Sequence, residues 1–462
     1  MISSKHTQAD YAAFLANKTQ LANMAGFEPI WIPDWLKDFQ QSLTSWSIRA
    51  GRSAMLAGCG LGKGPMGLVW AENVVRYTNG RALVLAPLAV AQQIGREAVK
   101  FGIEAFVSRD GKFPATAKII ITNYERLQHF NSADFVAVWC DEASCMKNFA
   151  GKRRAEITEF MRPIPYRLLG TATAAPNDYW ELGTLSEALG CLGFSDMLSC
   201  FFKQDDKKND LGWGRTKYRF RGHAEQPFWQ WVCSWARSCR KPSDLGFDDA
   251  EFTLPPLKIK EVIVENAKPL PGMLFPLPAH GMREERAERR ITLQQRCELA
   301  AELANGHPGS SLMSCHLNPE GDLLEKLTKD CVQVKGAMSL DEKEERLLAF
   351  ESGQVKRLVS KDKIIAFGLN LQKCHNIVMF PSHSWEAYFQ LIRRCWRFGQ
   401  QHEVTANIVV TEGEQKALSS IQRKSEQAER MGDALSKHMN NAIAVDDGWH
   451  FNQPERMPAW LA

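Results

Sequence analysis

No stretch of the 462-residue chain approaches the roughly 18 consecutive apolar residues of a membrane-spanning helix. The N-terminal MISSKHTQADYAAF has no apolar signal core, so the sequence is read as that of a cytoplasmic chain. Among 12 cysteines and 11 histidines there is neither a Cys-x-x-Cys pair nor a His-x-x-x-His pair, which argues against a zinc site. Cys59, Cys140, Cys145 and Cys374 sit beside expected strands and motifs instead of in a loop framework, so reduced thiols are expected. Low-complexity tracts and internal sequence repeats are also missing. There is no strong charge excess: a formal +4 and a pI near 8.4 permit a polyanionic partner without demanding one. What remains, 44% apolar and 24% charged, is the composition of an ordinary globular protein with length for about two to four domains.

Residues 1–28 read as a polar helical extension that leads to a Pro- and Trp-rich turn at Pro29–Trp35. From about residue 53 short apolar runs recur as buried parallel strands: Ser53–Ala57, Ala82–Ala86, Lys118–Thr122, Phe135–Cys140 and Arg167–Gly170. Helical patterns lie between several of them, such as Met66, Val69, Trp70 and Val74. An aromatic and basic insert at about 201–256 breaks this rhythm. Four prolines in Pro269–Pro278 and a charged helix then place an inter-domain connection over 257–305. A second series follows at Ser311–Leu317, Cys331–Val334, Lys356–Ser360, Ile377–Phe380 and Asn407–Thr411. The expected organisation is therefore α/β, with two doubly wound parallel sheets: a first lobe over 29–256, a second over 306–420, and a tail at 421–462.

Four motifs carry chemistry. Ala57–Gly64 (AGCGLGKG) lies between a strand and a helix. Its backbone N–H groups at Gly58, Cys59, Gly60, Leu61 and Gly62 can wrap phosphate oxygens, and Lys63 can reach the β- and γ-phosphates. Asp141–Ser144 (DEAS) follows an apolar strand, where a carboxylate points into the crevice at the strand ends; Asp141 would hold Mg²⁺ and Glu142 would polarise an attacking water. Gly170–Thr173 (GTAT) offers small hydroxyls at another strand end. Gln390–Gln400 (QLIRRCWRFGQ) is read as part of a helix that begins near Ser384. There Gln390, Arg394 and Arg397 fall within about a 60° arc, opposite Trp385, Tyr388, Phe389, Ile392 and Trp396. Guanidinium groups on an anchored helix suit phosphate neutralisation.

In this order the motifs resemble those of the superfamily 2 helicases. Within that superfamily they are most similar to Swi/Snf-type DNA translocases, especially compact phage-encoded members. The resemblance spans about residues 30 to 415. It implies two RecA-like lobes of the P-loop NTPase type with ATP and Mg²⁺ in the cleft. It also implies that Gln40 in DFQ (Asp38–Gln40) reads adenine, that DEAS is the DEAD/DEAH box, and that Leu168–Gly183 and Ser360–Cys374 are motifs III and V. Arg394 and Arg397 match the arginine-finger positions. TNYERL, with Thr122, Asn123 and Tyr124, resembles a DNA-contacting motif. The family's phosphate loop ends Lys-Thr, and the hydroxyl is a Mg²⁺ ligand. Gly64 cannot supply it, so weak turnover with a high Mg²⁺ requirement is expected.

Residues 201–222 hold seven Lys or Arg and three Asp, interleaved with Phe202, Trp213, Tyr218 and Phe220. This is either a backbone-tracking surface built on Lys207, Lys208, Arg215 and Lys217, or a solvated hairpin whose aromatics pack on the first lobe. The resulting expectation is a DNA-dependent ATPase acting as helicase or duplex translocase, with double-stranded DNA as the favoured partner. The alternative is a nucleic-acid-binding subunit of the same fold with weakened catalysis.

Overall fold

Each of the ten apolar runs is a strand, to within a few residues, in a computed structural model that describes residues 26–443 except 149, 176, 205–217, 265–281, 366–370 and 412–413. The chain divides into two units: Met1–Asp248 with Glu429–Ala462, and Asp249–Ala428. Both are built on fully parallel sheets.

The first unit contains β1 (Arg52–Ala57), β2 (Ala82–Ala86), β3 (Phe106–Val107), β4 (Ile119–Asn123), β5 (Ala137–Asp141) and β6 (Tyr166–Gly170). An antiparallel hairpin of β7 (Phe202–Gln204) and β8 (Tyr218–Phe220) follows, and then β9 (Ala236–Cys239). The sheet order is β3-β4-β2-β5-β6-β1-β9. Every residue of β2, β4 and β5 is buried, as expected where helices cover both faces. Three helices frame the site: α1 (Asp38–Ala50), α2 (Lys63–Thr78) and α3 (Leu88–Lys100). α2 lies close on the sheet because Gly67 has no side chain: a Cβ there would sit 2.3 Å from Trp139 Cζ2.

The second unit orders its strands β10 (Leu257–Ile263), β15 (Val404–Val410), β14 (Asn376–Met379), β11 (Ser311–Cys315), β13 (Arg357–Lys361) and β12 (Cys331–Val334). Its core includes the fully buried Leu312, Leu358, Ile377, Ala406 and Cys395. The buried pair Arg296–Glu320, at 2.6 Å and with both side chains at 0% exposure, ties the helix Leu293–Asn305 to Asn318–Leu327.

Three expectations change. Ala236–Cys239, inside the expected insert, is the edge strand beside β1. Leu257–Ile263, expected as connection, is the edge strand beside β15. It is mostly exposed, so its Lys258, Lys260 and Glu261 do not read as a buried strand. The expected tail begins inside a helix, Gln415–Ile443, whose Leu435 and Met439 belong to the first unit's core. The N-terminal helix expected over 1–28 lies outside the described residues but for 26–28. All twelve cysteines are free thiols, and no described helix is long and apolar enough to cross a membrane.

Candidate nucleotide site and arginine segment

Three neighbouring strands, β5, β6 and β1, end together, and their C-terminal ends carry the first three motifs. After β1 the chain turns through Gly60 (φ 87°) and Gly62 (φ 82°). Gly62 is the left-handed N-cap of α2, a conformation glycine adopts without steric cost. The positive end of α2 therefore faces the loop. Lys63 Nζ donates to the carbonyls of Ala57 (2.8 Å) and Gly58 (3.2 Å), so its ammonium lies over the loop. Leu61, fully buried, is the loop's anchor. Gln40 on α1 braces it: Nε2 donates to Leu61 O at 2.8 Å, while Oε1 accepts Lys37 N–H at 2.9 Å. A further support comes from β9, where Cys239 O accepts Gly58 N–H at 2.8 Å. Nothing in the motif signalled that strand.

Asp141 closes β5 at 7% exposure and Glu142 follows at 8%. Glu142 is held at φ 52°, ψ 50°, left-handed for a residue with a Cβ. Such strain costs about 1–3 kcal/mol and concentrates at functional sites. Its Oε2 is buried and has no hydrogen-bond partner. Under Asp141 lies Gly170 of β6, where a Cβ would be 3.4 Å from Asp141 Oδ1. Thr171 N–H donates to Met55 O at 3.1 Å and links motif III to β1. Thr171 Oγ1 accepts Thr173 N–H at 3.1 Å, while Thr173 Oγ1 is buried without a partner. A nucleotide with its Mg²⁺ fits this donor set: loop N–H groups, a helix N-terminus and an ammonium for phosphates, with a strand-end carboxylate and an orphaned carboxylate oxygen beside them.

Gly64 is the second residue of α2, and a Cβ there would lie 2.2 Å from Glu97 Oε2 on α3. The place of a side chain at 64 is thus held by a carboxylate from another helix. Sequence reasoning missed Glu97, because only the packing of α3 on α2 brings it there.

The expected nucleic-acid contacts divide. Thr122, Asn123 and Tyr124 are 1%, 6% and 6% exposed, facing inward instead of forming a surface. Thr122 Oγ1 donates to Ser108 O at 3.0 Å, and Tyr124 OH donates to Asp141 O at 2.6 Å. In this structure the segment positions the acidic motif's backbone. Lys207, Lys208, Arg215 and Lys217 lie outside the described residues. The hairpin aromatics pack inward: Phe202 stacks on Phe220 at 4.7 Å, Tyr179 stacks on Phe220 at 6.0 Å, and Trp180 meets Tyr218 edge-on at 6.0 Å.

In the second unit, helix α4 (Trp385–Cys395) starts on Ser384, whose side chain accepts Ala387 N–H at 3.2 Å. It ends at Cys395, so Arg394 is helical and Arg397 is not. The expected common arc therefore fails for Arg397. Gln400 stops the helix by donating from Nε2 to the carbonyls of Gln372 (2.6 Å), Cys374 (3.1 Å) and Cys395 (3.1 Å), and Gly399 turns at φ 93°. Trp396 Nε1 donates to Pro255 O at 2.7 Å, and Phe398 meets Phe252 edge-on at 5.1 Å, so Arg397 is carried on a fixed turn. Arg393 lies over Trp396 (4.3 Å) and Phe389 (5.3 Å), an aromatic anchor beside the two half-buried arginines. Gln390 is 2% exposed, and both ends of its amide are without partners. Motif V begins on β13, and its end is tied to α4 by Leu371 N–H donating to Arg394 O at 3.1 Å.

Residues 298–399 match the family described as helicase conserved C-terminal domain. Among solved structures, the chain is similar to an S. cerevisiae Dbp5 variant bound to RNA and ADP BeF3, with 14% identity over 88% of this chain and 98% of that one and a TM-score of 0.54. It is also similar to the Sulfolobus solfataricus SWI2/SNF2 ATPase core in complex with dsDNA, with 16% identity over 91% of this chain and 97% of that one and a TM-score of 0.42. No curated protein matches the sequence significantly. The chain has a RecA-like helicase fold, two α/β lobes each built on a parallel sheet.

Proposed function

We propose that the chain is a DNA-dependent ATPase of the Swi/Snf type, acting as a double-stranded DNA translocase or helicase. The observation that carries this reading is Glu142: a buried carboxylate oxygen without a partner, on a strained backbone, at the end of a strand two places from the phosphate loop. A buried carboxylate oxygen without a partner is costly, and such a group is kept where it has chemistry to do.

The roles follow from position. The N–H groups of Cys59, Gly60 and Gly62 bind the triphosphate with Lys63, while the Gly58 N–H is committed to Cys239 O and Gln40 holds the loop in shape. Glu142 Oε2 orients the attacking water and accepts its proton. Mg²⁺, when bound, supplies charge neutralisation between the phosphate oxygens, and Asp141 would hold it. Arg394 and Arg397 neutralise charge on the transferring phosphoryl group, which in this enzyme class is most of catalysis. Change of nucleotide state then drives stepping along the backbone of the duplex. Lys207, Lys208, Arg215 and Lys217 are the candidate phosphate contacts, with no base-reading module in the sequence.

A second reading, a nucleic-acid-binding subunit with little turnover, rests on Gly64. Displacement of a third strand from a DNA triplex separates the two. ATP-dependent displacement supports the translocase, whereas DNA binding with no displacement and no phosphate release supports the subunit.

A further inference from the structure

Gly64 and Glu97 form a matched pair. The residue after the phosphate-loop lysine is the place from which a hydroxyl normally reaches Mg²⁺. Here that residue has no side chain, and the nearest atoms to its Cβ position are Glu97 Oε2 at 2.2 Å, Cδ at 3.3 Å and Oε1 at 3.8 Å. Glu97 Oε1 accepts Gln93 Nε2 at 2.8 Å, one turn back on α3, which leaves Oε2 as the edge turned toward Gly64. A side chain at 64 would require the Glu97 carboxylate to move aside.

The height of the carboxylate also fits. Gly67 packs on the Trp139 ring. Gly64 lies one turn earlier on α2, about 5 Å toward the strand ends, and Asp141 lies two residues later on β5, about 6.6 Å in the same direction. Gly64 and Asp141 thus both lie beyond that contact, on the side of the strand ends. Among the described residues no three Asp, Glu, His or Cys side chains form a group able to hold a metal by themselves. Mg²⁺ takes one or two carboxylates together with substrate phosphates and water, so it needs no all-protein cage.

We propose that Glu97 is the oxygen ligand that replaces the missing hydroxyl at the nucleotide's Mg²⁺. This rests on the reading of the loop as a Mg–ATP site. A carboxylate differs from a hydroxyl in charge: without the cation it repels the triphosphate, and with the cation it binds it. Nucleotide affinity is therefore coupled more tightly to Mg²⁺ than a hydroxyl would make it.

The test uses the full chain and ATPγS, with Kd measured by calorimetry in MgCl₂ and again in EDTA. The parent should bind far better with Mg²⁺. Glu97→Gln should lose about tenfold or more of that enhancement, while its affinity in EDTA stays level or improves. Glu97→Asp should keep part of the enhancement, and Gly64→Thr combined with Glu97→Ala should restore it. An unchanged enhancement in Glu97→Gln overturns the proposal, as does an equal loss of affinity in both conditions, which would make Glu97 a structural contact. If Glu97→Gln melts early, the Asp variant and the double variant decide by the same ratio. A parent that binds ATPγS in neither condition refutes the Mg–ATP reading itself.

Discussion

Replacing Gln40 by alanine separates two roles for that residue. Family resemblance makes it an adenine reader, whereas the structure makes it a brace: at 9% exposure, its amide joins Leu61 O at 2.8 Å to Lys37 N at 2.9 Å. Nε2 also lies 2.3 Å from where a Cβ of Gly62 would stand, so the side chain fills the inner face of the phosphate loop. Gln40→Ala leaves the carbonyl of fully buried Leu61 without its donor. A buried acceptor so orphaned costs about 1–3 kcal/mol, and if that cost falls on the loop's binding-competent shape, affinity drops about 5- to 150-fold. The loop holds phosphates and not the base, so ATP and GTP should weaken by the same factor. Calorimetric Kd values for both nucleotides, parent against Gln40→Ala, measure this. Loss confined to ATP, with GTP unchanged, would refute the brace and make Gln40 the reader.

Three further outcomes are expected. Glu142→Gln should lower turnover by about 10²–10⁴ with ATP affinity nearly unchanged; single-turnover phosphate release beside equilibrium binding checks it, and parallel loss of both would assign Glu142 to folding. Arg397→Ala should lower turnover by about 10³–10⁵ while ATP still binds; Arg393→Ala, whose guanidinium lies over two aromatic rings, should lower the melting temperature instead. Glu320→Gln breaks an ion pair buried at both ends and should cost about 3–5 kcal/mol in urea unfolding. Burial pushes the Glu320 carboxyl up, but Arg296 and the N–H groups of Leu317 and His316 outweigh it and hold its pKa below the usual range. Its contribution is therefore present above the unfolded-state value of about 4.3 and is lost as pH falls through the lower folded one. The gap between parent and variant should shrink on acidification.

The parallel strands were legible because burial on both faces leaves unbroken apolar runs, as in IIITN at β4 and ALVLA at β2. Of the edge strands, β12 was legible but β9 and β10 were not. β9 is four residues long, and β10 carries Lys258, Lys260 and Glu261 on exposed positions. Within the site, Lys63, Asp141 and Glu142 were legible because their spacing follows the chain: loop, strand end, turn. Glu97 and Cys239 were not, since they reach the loop only through packing of α3 and pairing of β9. A helix period carried through Arg397 was mistaken at one point, for the periodicity cannot register that the side chain of Gln400 caps the carbonyl of Cys395. Tyr124 shows the converse: its motif looked like a surface contact, but its hydroxyl reaches inward to Asp141 O.

The most direct test of the account is steady-state phosphate release by the parent chain with ATP and Mg²⁺, measured without nucleic acid and with closed duplex DNA, single-stranded DNA or RNA. The account predicts release that duplex DNA stimulates most and that Glu142→Gln abolishes. Release at the same rate with and without every nucleic acid, or stimulation that survives in Glu142→Gln, would contradict it.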